Sequence, residues 1–239
     1  MFRFEYRSLN CRLGCGLMKT IEQLFSAHCD KADVSSLLEV PQGATELLVL
    51  AHGAGAGMHH QNMQRIAEAM HRQRIATFRY QFPFRERGGG RDSLEVSLST
   101  VERAVELARK LEPELPLLAG GHSFGGRMTS IAAANRQLCK VRGFVFFAFP
   151  LHPRGKPNNE RAQHLPDIRE PLLFFTGSKD PLFTAKLFKP IHQQICKSAT
   201  VYTLDSVDHG YRVSKRSRQS KEDVFEEMGR LTRQWLDEL

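Results

Sequence analysis

The strongest constraint on this chain is a repeated alternation between continuous apolar runs and stretches of helical periodicity. Thr45 to Gly53 reads TELLVLAHG, apolar without interruption and closed by glycine, the pattern of a strand buried on both faces. The following HHQNMQRIAEAMHR puts Met63, Ile66, Ala67 and Met70 on one helical face. RIATFRYQF, β-branched and aromatic, predicts another strand. After the glycine-rich RERGGGRDS, the register of Leu94, Leu98, Val101, Val105 and Ala108 predicts a long amphipathic helix. ELPLLAGG, VRGFVFFAFP, PLLFFTGS and ATVYTLDS predict further strands, GGRMTSIAAANRQ a small-residue helix, and Val224, Met228, Leu231 and Trp235 a last helix. Such alternation predicts βαβ units, hence an α/β fold with a doubly wound, mostly parallel sheet. VSSLLEV, just before it, predicts an antiparallel edge strand.

At 239 residues the chain supports one well-buried domain. Residues 35–239 read as that domain, with no internal repeat or linker. Residues 1–34 read as a poorly defined N-terminal segment without clear periodicity, in which Met18 offers a second start.

Hydrophobic content of 41% and charged content of 25% are those of an ordinary soluble protein. A net charge of +8 favours anions. The positives are scattered, however, apart from KRSR at Lys215 to Arg218, which reads as a solvated loop, so no nucleic-acid partner is expected. The five cysteines are odd in number and lack a C-x-x-C pair, which argues against a disulfide framework or zinc knuckle and predicts a reducing, cytoplasmic location. No apolar run reaches membrane-spanning length. Arg and Asn interrupt the N-terminus too often for a signal peptide's apolar core.

In doubly wound sheets ligands collect beyond the carboxyl ends of the strands. One such end, LLAGGHSFGGRM (Leu117 to Met128), fits two chemistries. As a phosphate-cradling loop it fails, because Arg127 stands for the lysine and Met128 for the Mg²⁺-binding hydroxyl. A dinucleotide site at HGAGAGMHH fails too: Met58 or His60 replaces the third glycine, and Arg79-Tyr80-Gln81 stands where an acid is needed after the second strand.

Gly121-His-Ser123-Phe-Gly125 also fits G-x-S-x-G, with Ser123 between a predicted strand and a predicted helix, as a nucleophile elbow requires. There the Phe124 N–H is offered to an oxyanion, and HGAG at His52 to Gly55 supplies a second donor, the Ala54 N–H. An acid and a histidine should follow in that order, each after a later strand. FFTGSKDP supplies Asp180 and LDSVDHG supplies His209. A lone G-x-S-x-G arises by chance, and an aspartate before proline can be a plain turn residue. Asp167 lacks an apolar run directly before it, while Asp205 and Asp208 share a loop with His209. His59, His60, His71, His164 and His192 read as exposed; His52 and His122 read as wall residues orienting their loops, and as such are candidate substrate contacts. The conjunction of three motifs at three strand ends carries the inference.

LLVLAHGAGAGM, FRYQFPF, GGHSFGGRM, FFTGSKDPL and VDHGY resemble the α/β-hydrolase superfamily, over about residues 35–239. More narrowly they resemble the dienelactone-hydrolase-like branch, which includes predicted hydrolases grouped with testis-expressed and histone-acetyltransferase-complex proteins of animals. The resemblance implies Ser123 as nucleophile, Asp180 as acid and His209 as base. It also implies that few members have a known natural substrate and that some animal relatives serve as scaffolds. The expected function is therefore a carboxylesterase-like serine hydrolase needing no metal or organic cofactor. The alternative is a non-catalytic scaffold, against which the complete Ser, Asp and His set argues.

About twenty residues separate the strand ending at Pro150 from the one beginning at Pro171, too few for a large lid domain. The expected substrate is a small or accessible ester. RYQFPFRERGGGR should border the same cleft, so Arg79, Arg85, Arg87, Arg91 and Arg127 are candidates for an anionic substrate group. Solvated surface arginines are the equally simple reading.

Overall fold

The computed structural model describes residues 7–13, 16–195, 197–213 and 218–239. Its strands are β1 (Arg7–Leu13), β2 (Gly16–Phe25), β3 (Val34–Pro41), β4 (Glu46–Ala51), β5 (Ile75–Tyr80), β6 (Leu117–His122), β7 (Val141–Phe147), β8 (Leu172–Gly177) and β9 (Ala199–Leu204). Among the described residues these form one sheet in the order β1-β2-β3-β5-β4-β6-β7-β8-β9. β5 to β9 and β4 are parallel, while β1, β2 and β3 join antiparallel.

Side chains alternate across a strand, and that period of two divides the core. Leu47, Val49, Ala51, Phe144, Phe146, Leu172 and Phe174 face one side; Leu48, Leu50, Val145, Phe147, Leu173 and Phe175 face the other. On the first side pack α3 (Leu94–Leu111), α4 (Phe124–Ala134) and α5 (Ala185–Ile195); on the second, α1 (Gln61–Arg72) and α6 (Val224–Asp237). A four-residue α2 (Pro83–Glu86) begins on a proline, whose fixed φ suits a first helical turn. Continuous apolar strands are thus explained by helices on both faces.

Three expectations are corrected. VSSLLEV is antiparallel, but β2 lies outside it, so it is not the edge. The segment before residue 35 carries β1 and β2 of the same sheet. β2 escapes a sequence reading because Ile21 and Phe25 are buried while Leu17 and Leu24 stand exposed, so its apolar residues do not mark one buried face. Phe25 packs on Phe78 and Tyr80 of β5, with ring centroids 6.4 and 6.2 Å apart. In α3, Leu94 stands exposed, whereas Leu98, Val101, Val105 and Ala108 are buried as their spacing predicts. α5 contains Pro190, which hid it from a periodicity reading. Most of KRSR lies outside the described residues; Arg218 itself pairs with Glu227.

The chain leaves β4 for β5 on one side, then crosses to β6 on the other. That reversal opens a crevice beyond the carboxyl ends of β4 and β6. Between β7 and β8 the chain makes only the short 3-10 turns Glu160–Ala162 and Leu165–Asp167. No described helix is long and apolar enough to cross a membrane.

Candidate active site

Ser123 follows β6 directly and caps α4 with φ 51° and ψ −110°. A non-glycine residue there costs roughly 1–3 kcal/mol, so its surroundings must impose it. They do so on both sides: the Ser123 N–H donates to the Phe147 carbonyl at 2.9 Å, and the Arg127 N–H to the Ser123 carbonyl at 3.0 Å. α4 starts so close to β4 that a Cβ on either Gly121 or Gly125 would sit 2.5 Å from the Ala51 carbonyl oxygen. The two glycines of the motif are therefore a condition of the close approach.

So held, the Ser123 hydroxyl does not cap its own helix. Its Oγ lies 2.8 Å from His209 Nε2, and His209 Nδ1 lies 2.8 Å from Asp180 Oδ2. The Asp180 side chain is closed off from solvent, and its Oδ1 accepts the Leu182 N–H at 2.8 Å. A carboxylate so placed fixes the imidazole proton on Nδ1 and leaves Nε2 to accept from the serine. The rival acids are engaged elsewhere. Asp208 Oδ1 accepts the Gly210 and Arg212 N–H groups at 2.8 and 2.9 Å, and Asp205 Oδ2 accepts the Gln219 N–H at 3.2 Å.

His52 and His122, offered above as substrate contacts, brace the site from behind. His52 is fully buried. Its Nε2 accepts the Phe82 N–H at 3.1 Å, so Nδ1 carries the proton and donates to the Gly53 carbonyl at 2.8 Å. Burial lowers its pKa to about 4 and keeps it neutral. It thereby ties the His52–Gly55 loop to the turn after β5. His122 Nε2 donates to the His209 carbonyl at 3.2 Å, and burial first, then His209, lowers its pKa to about 4. Its ring lies 5.5 Å from those of both His209 and Tyr211. Among the described residues the N–H groups of Phe124 and Ala54 have no hydrogen-bond acceptor. Phe124 is half-buried and packs edge-on against Phe82 and Phe84, with centroids 5.3 and 5.8 Å away.

The arginines separate sharply. Arg79 is corrected: it is 3% exposed, donates to the Met58 carbonyl at 3.0 Å and pairs with Glu39 at 2.5 Å, so it binds the β3–β5 pair rather than a ligand. Arg85 is exposed on α2, and its charge reaches His52. Arg87 is held by Asp92 at 2.7 Å. Arg127 is half-buried on α4, with a buried Nε that has no partner among the described residues. His71 and His164 are also corrected, since neither is a free surface residue. His71 Nε2 lies 2.9 Å from Thr77 Oγ1, and His164 Nε2 lies 2.7 Å from Ser130 Oγ. Among the described residues a metal could be offered ligands by His28, Cys29 and Asp30, whose ligand atoms lie within 4.8 Å on one partly exposed turn. They share no contact with the triad.

Residues 44–237 match a family described as an alpha/beta hydrolase domain. Among solved structures, the chain is similar to a dienelactone hydrolase from Anabaena variabilis (TM-score 0.65, 17% identity, 91% of this chain and 97% of that one). It is similar to an alpha-beta serine hydrolase homologue from Coxiella burnetii (TM-score 0.71, 17% identity, 90% and 96%). A third is XC6422 from Xanthomonas campestris, described as a serine hydrolase without lid (TM-score 0.62, 16% identity, 100% and 96%). The family match spans the sheet from before β4 to the last helix and includes every residue gathered at the crevice; the chain belongs to the α/β hydrolase family.

Proposed function

We propose that this hydrolase is a carboxylesterase-like serine hydrolase that cleaves small or accessible esters by acyl transfer to water. The relay Ser123–His209–Asp180, with both contacts at 2.8 Å, is the observation that carries this reading. His209 Nε2 takes the Ser123 proton as Oγ attacks the ester carbonyl, and Asp180 holds the imidazole in the needed tautomer and balances its charge. The Phe124 and Ala54 N–H groups, without acceptors among the described residues, receive the oxyanion. The alcohol leaves with the proton from His209, and water activated by the same nitrogen releases the acid. The short β7–β8 connection supports an accessible rather than a covered site. The absence of C-x-x-C pairing, with Cys29 and Cys139 free, supports a reducing compartment such as the cytoplasm.

A fluorophosphonate probe tests this reading against a scaffold role. Covalent labelling at neutral pH that disappears in Ser123→Ala is expected. A wild-type protein that stays unlabelled overturns the enzyme in favour of the scaffold.

A further inference from the structure

We propose that Arg91, Arg127 and Arg161 form a subsite that binds an oxyanion, carboxylate or phosphate, on the substrate beside Ser123. The proposal deepens the hydrolase reading and rests on it for the identification of the bound molecule as substrate. Three separate elements bring these guanidiniums together. Arg127 is four residues past Ser123 on α4 and is linked to it by the backbone bond at 3.0 Å. Arg91, in the glycine-rich loop before α3, sets its guanidinium carbon 6.0 Å from the ring centroid of Phe124, the residue after Ser123. Arg161 comes from the 3-10 turn Glu160–Ala162, in the connection that occupies the place of a lid.

The three are close enough to repel one another. Burial, and then the Arg91 charge, lowers the pKa of Arg127; burial, followed by the charges of Arg127 and Arg91, lowers that of Arg161. None of the three is ion-paired among the described residues, and the Nε of Arg127 is buried without any acceptor. Acids nearby in sequence do not relieve this. Asp92 is bound by Arg87 at 2.7 Å and by Lys31 at 3.9 Å. His164 brings no charge, since burial, then Arg127, lowers its pKa to about 4. It also holds the floor of the cluster: its Nε2 donates to Ser130 Oγ, whose own hydroxyl donates to the Arg127 carbonyl at 2.8 Å.

Several other guanidiniums find carboxylates, Arg65, Arg79, Arg218, Arg230 and Arg233 among them, while an arginine such as Arg85 stands exposed to solvent. Scattered surplus charge would spread apart to reduce repulsion. A convergent group without an acid, half-desolvated on one side, is instead complementary to an anion able to accept several N–H donors at once. Glutaryl or similar half-esters, with a carboxylate a few bonds from the scissile carbonyl, suit a cluster whose Arg91 lies against the ring of Phe124, the residue after Ser123.

The test compares 4-nitrophenyl hemiglutarate with 4-nitrophenyl valerate, which differ in the terminal charge. Each of Arg91→Gln, Arg127→Gln and Arg161→Gln should lower the ratio of kcat/KM for the charged over the neutral ester by about tenfold, the scale of one charge-assisted hydrogen bond. The triple variant should abolish the preference. A second arm does not require turnover: Ser123→Ala protein is titrated calorimetrically with glutarate and with inorganic phosphate, with and without the three arginines. Saturable binding lost in the triple variant supports the subsite, and the stronger of the two anions identifies its chemistry. An unchanged ester ratio, or anion binding that is absent or survives the triple variant, overturns the proposal. If the wild-type protein cleaves neither ester, the hydrolase reading fails and the titration alone decides the subsite. Should the triple variant not fold, the single Arg91 and Arg161 variants, at more exposed positions, carry both arms.

Discussion

His52 Nε2 accepts the Phe82 backbone N–H at 3.1 Å while its Nδ1 donates to the Gly53 carbonyl, so one buried neutral ring joins the loop after β4 to the turn after β5. That joint fixes the His52–Gly55 loop, which carries the Ala54 N–H proposed for the oxyanion, and it works only while the imidazole is uncharged. Protonating Nε2 would set a donor against the Phe82 N–H.

This gives stability a defined pH dependence. Burial lowers the pKa values of His52 and His122 from 6.5 to about 4 in the folded chain. Between those values the unfolded chain binds more protons, so their contribution is complete above pH 6.5 and is lost as pH falls toward 4. Each histidine contributes a slope of at most about 1.4 kcal/mol per pH unit in that window. Urea midpoints should fall steeply there, and His52→Gln should flatten the slope by about one proton. A midpoint insensitive to pH across the window would show that both rings charge freely in the fold.

Gly125→Ala tests the close approach of α4 to β4. Its Cβ would meet a backbone oxygen, Ala51 O, at 2.5 Å, and no side chain can rotate to relieve the contact. A loss of about 2–3 kcal/mol in urea unfolding is expected, together with slower fluorophosphonate labelling as Ser123 shifts. Wild-type stability with wild-type labelling would contradict the packing described.

Asp180→Asn keeps the shape but removes the charge facing His209 Nδ1 and favours the wrong imidazole tautomer. Ester turnover should fall by roughly three to four orders of magnitude in kcat with little change in KM. A fall of less than tenfold would assign the acid's role to another residue.

Arg79→Met separates a structural arginine from the substrate-facing ones. It leaves Glu39 without its partner in the β3–β5 pair and should cost on the order of 2 kcal/mol, less than a wholly enclosed pair because Glu39 is partly open. The ratio of hemiglutarate to valerate hydrolysis should stay at the wild-type value. A changed ratio with unchanged stability would place Arg79 at the substrate after all.

The sequence by itself determined the elements whose signals are local. Leu47 to Ala51 and Leu172 to Phe175 are apolar on both strand faces, and that pattern alone requires helices on two sides. The elbow is also local, because a serine between close-packed glycines at a strand-to-helix turn has few other uses, and the order Ser123, Asp180, His209 follows from where apolar runs end. Only the tertiary structure decided what depends on a partner distant in the chain. β2 is a strand because β3 offers it hydrogen bonds, although Leu17 and Leu24 stand exposed. Arg79 and Arg127 look alike in sequence, yet Glu39 neutralises one and no acid among the described residues pairs with the other. Arg161 carried no sequence signal, since nothing in its own segment tells that the connection after β7 folds back over α4. Strand and turn preferences are written in neighbouring residues, whereas burial, pairing and the convergence of charge arise only when distant segments share one end of the sheet.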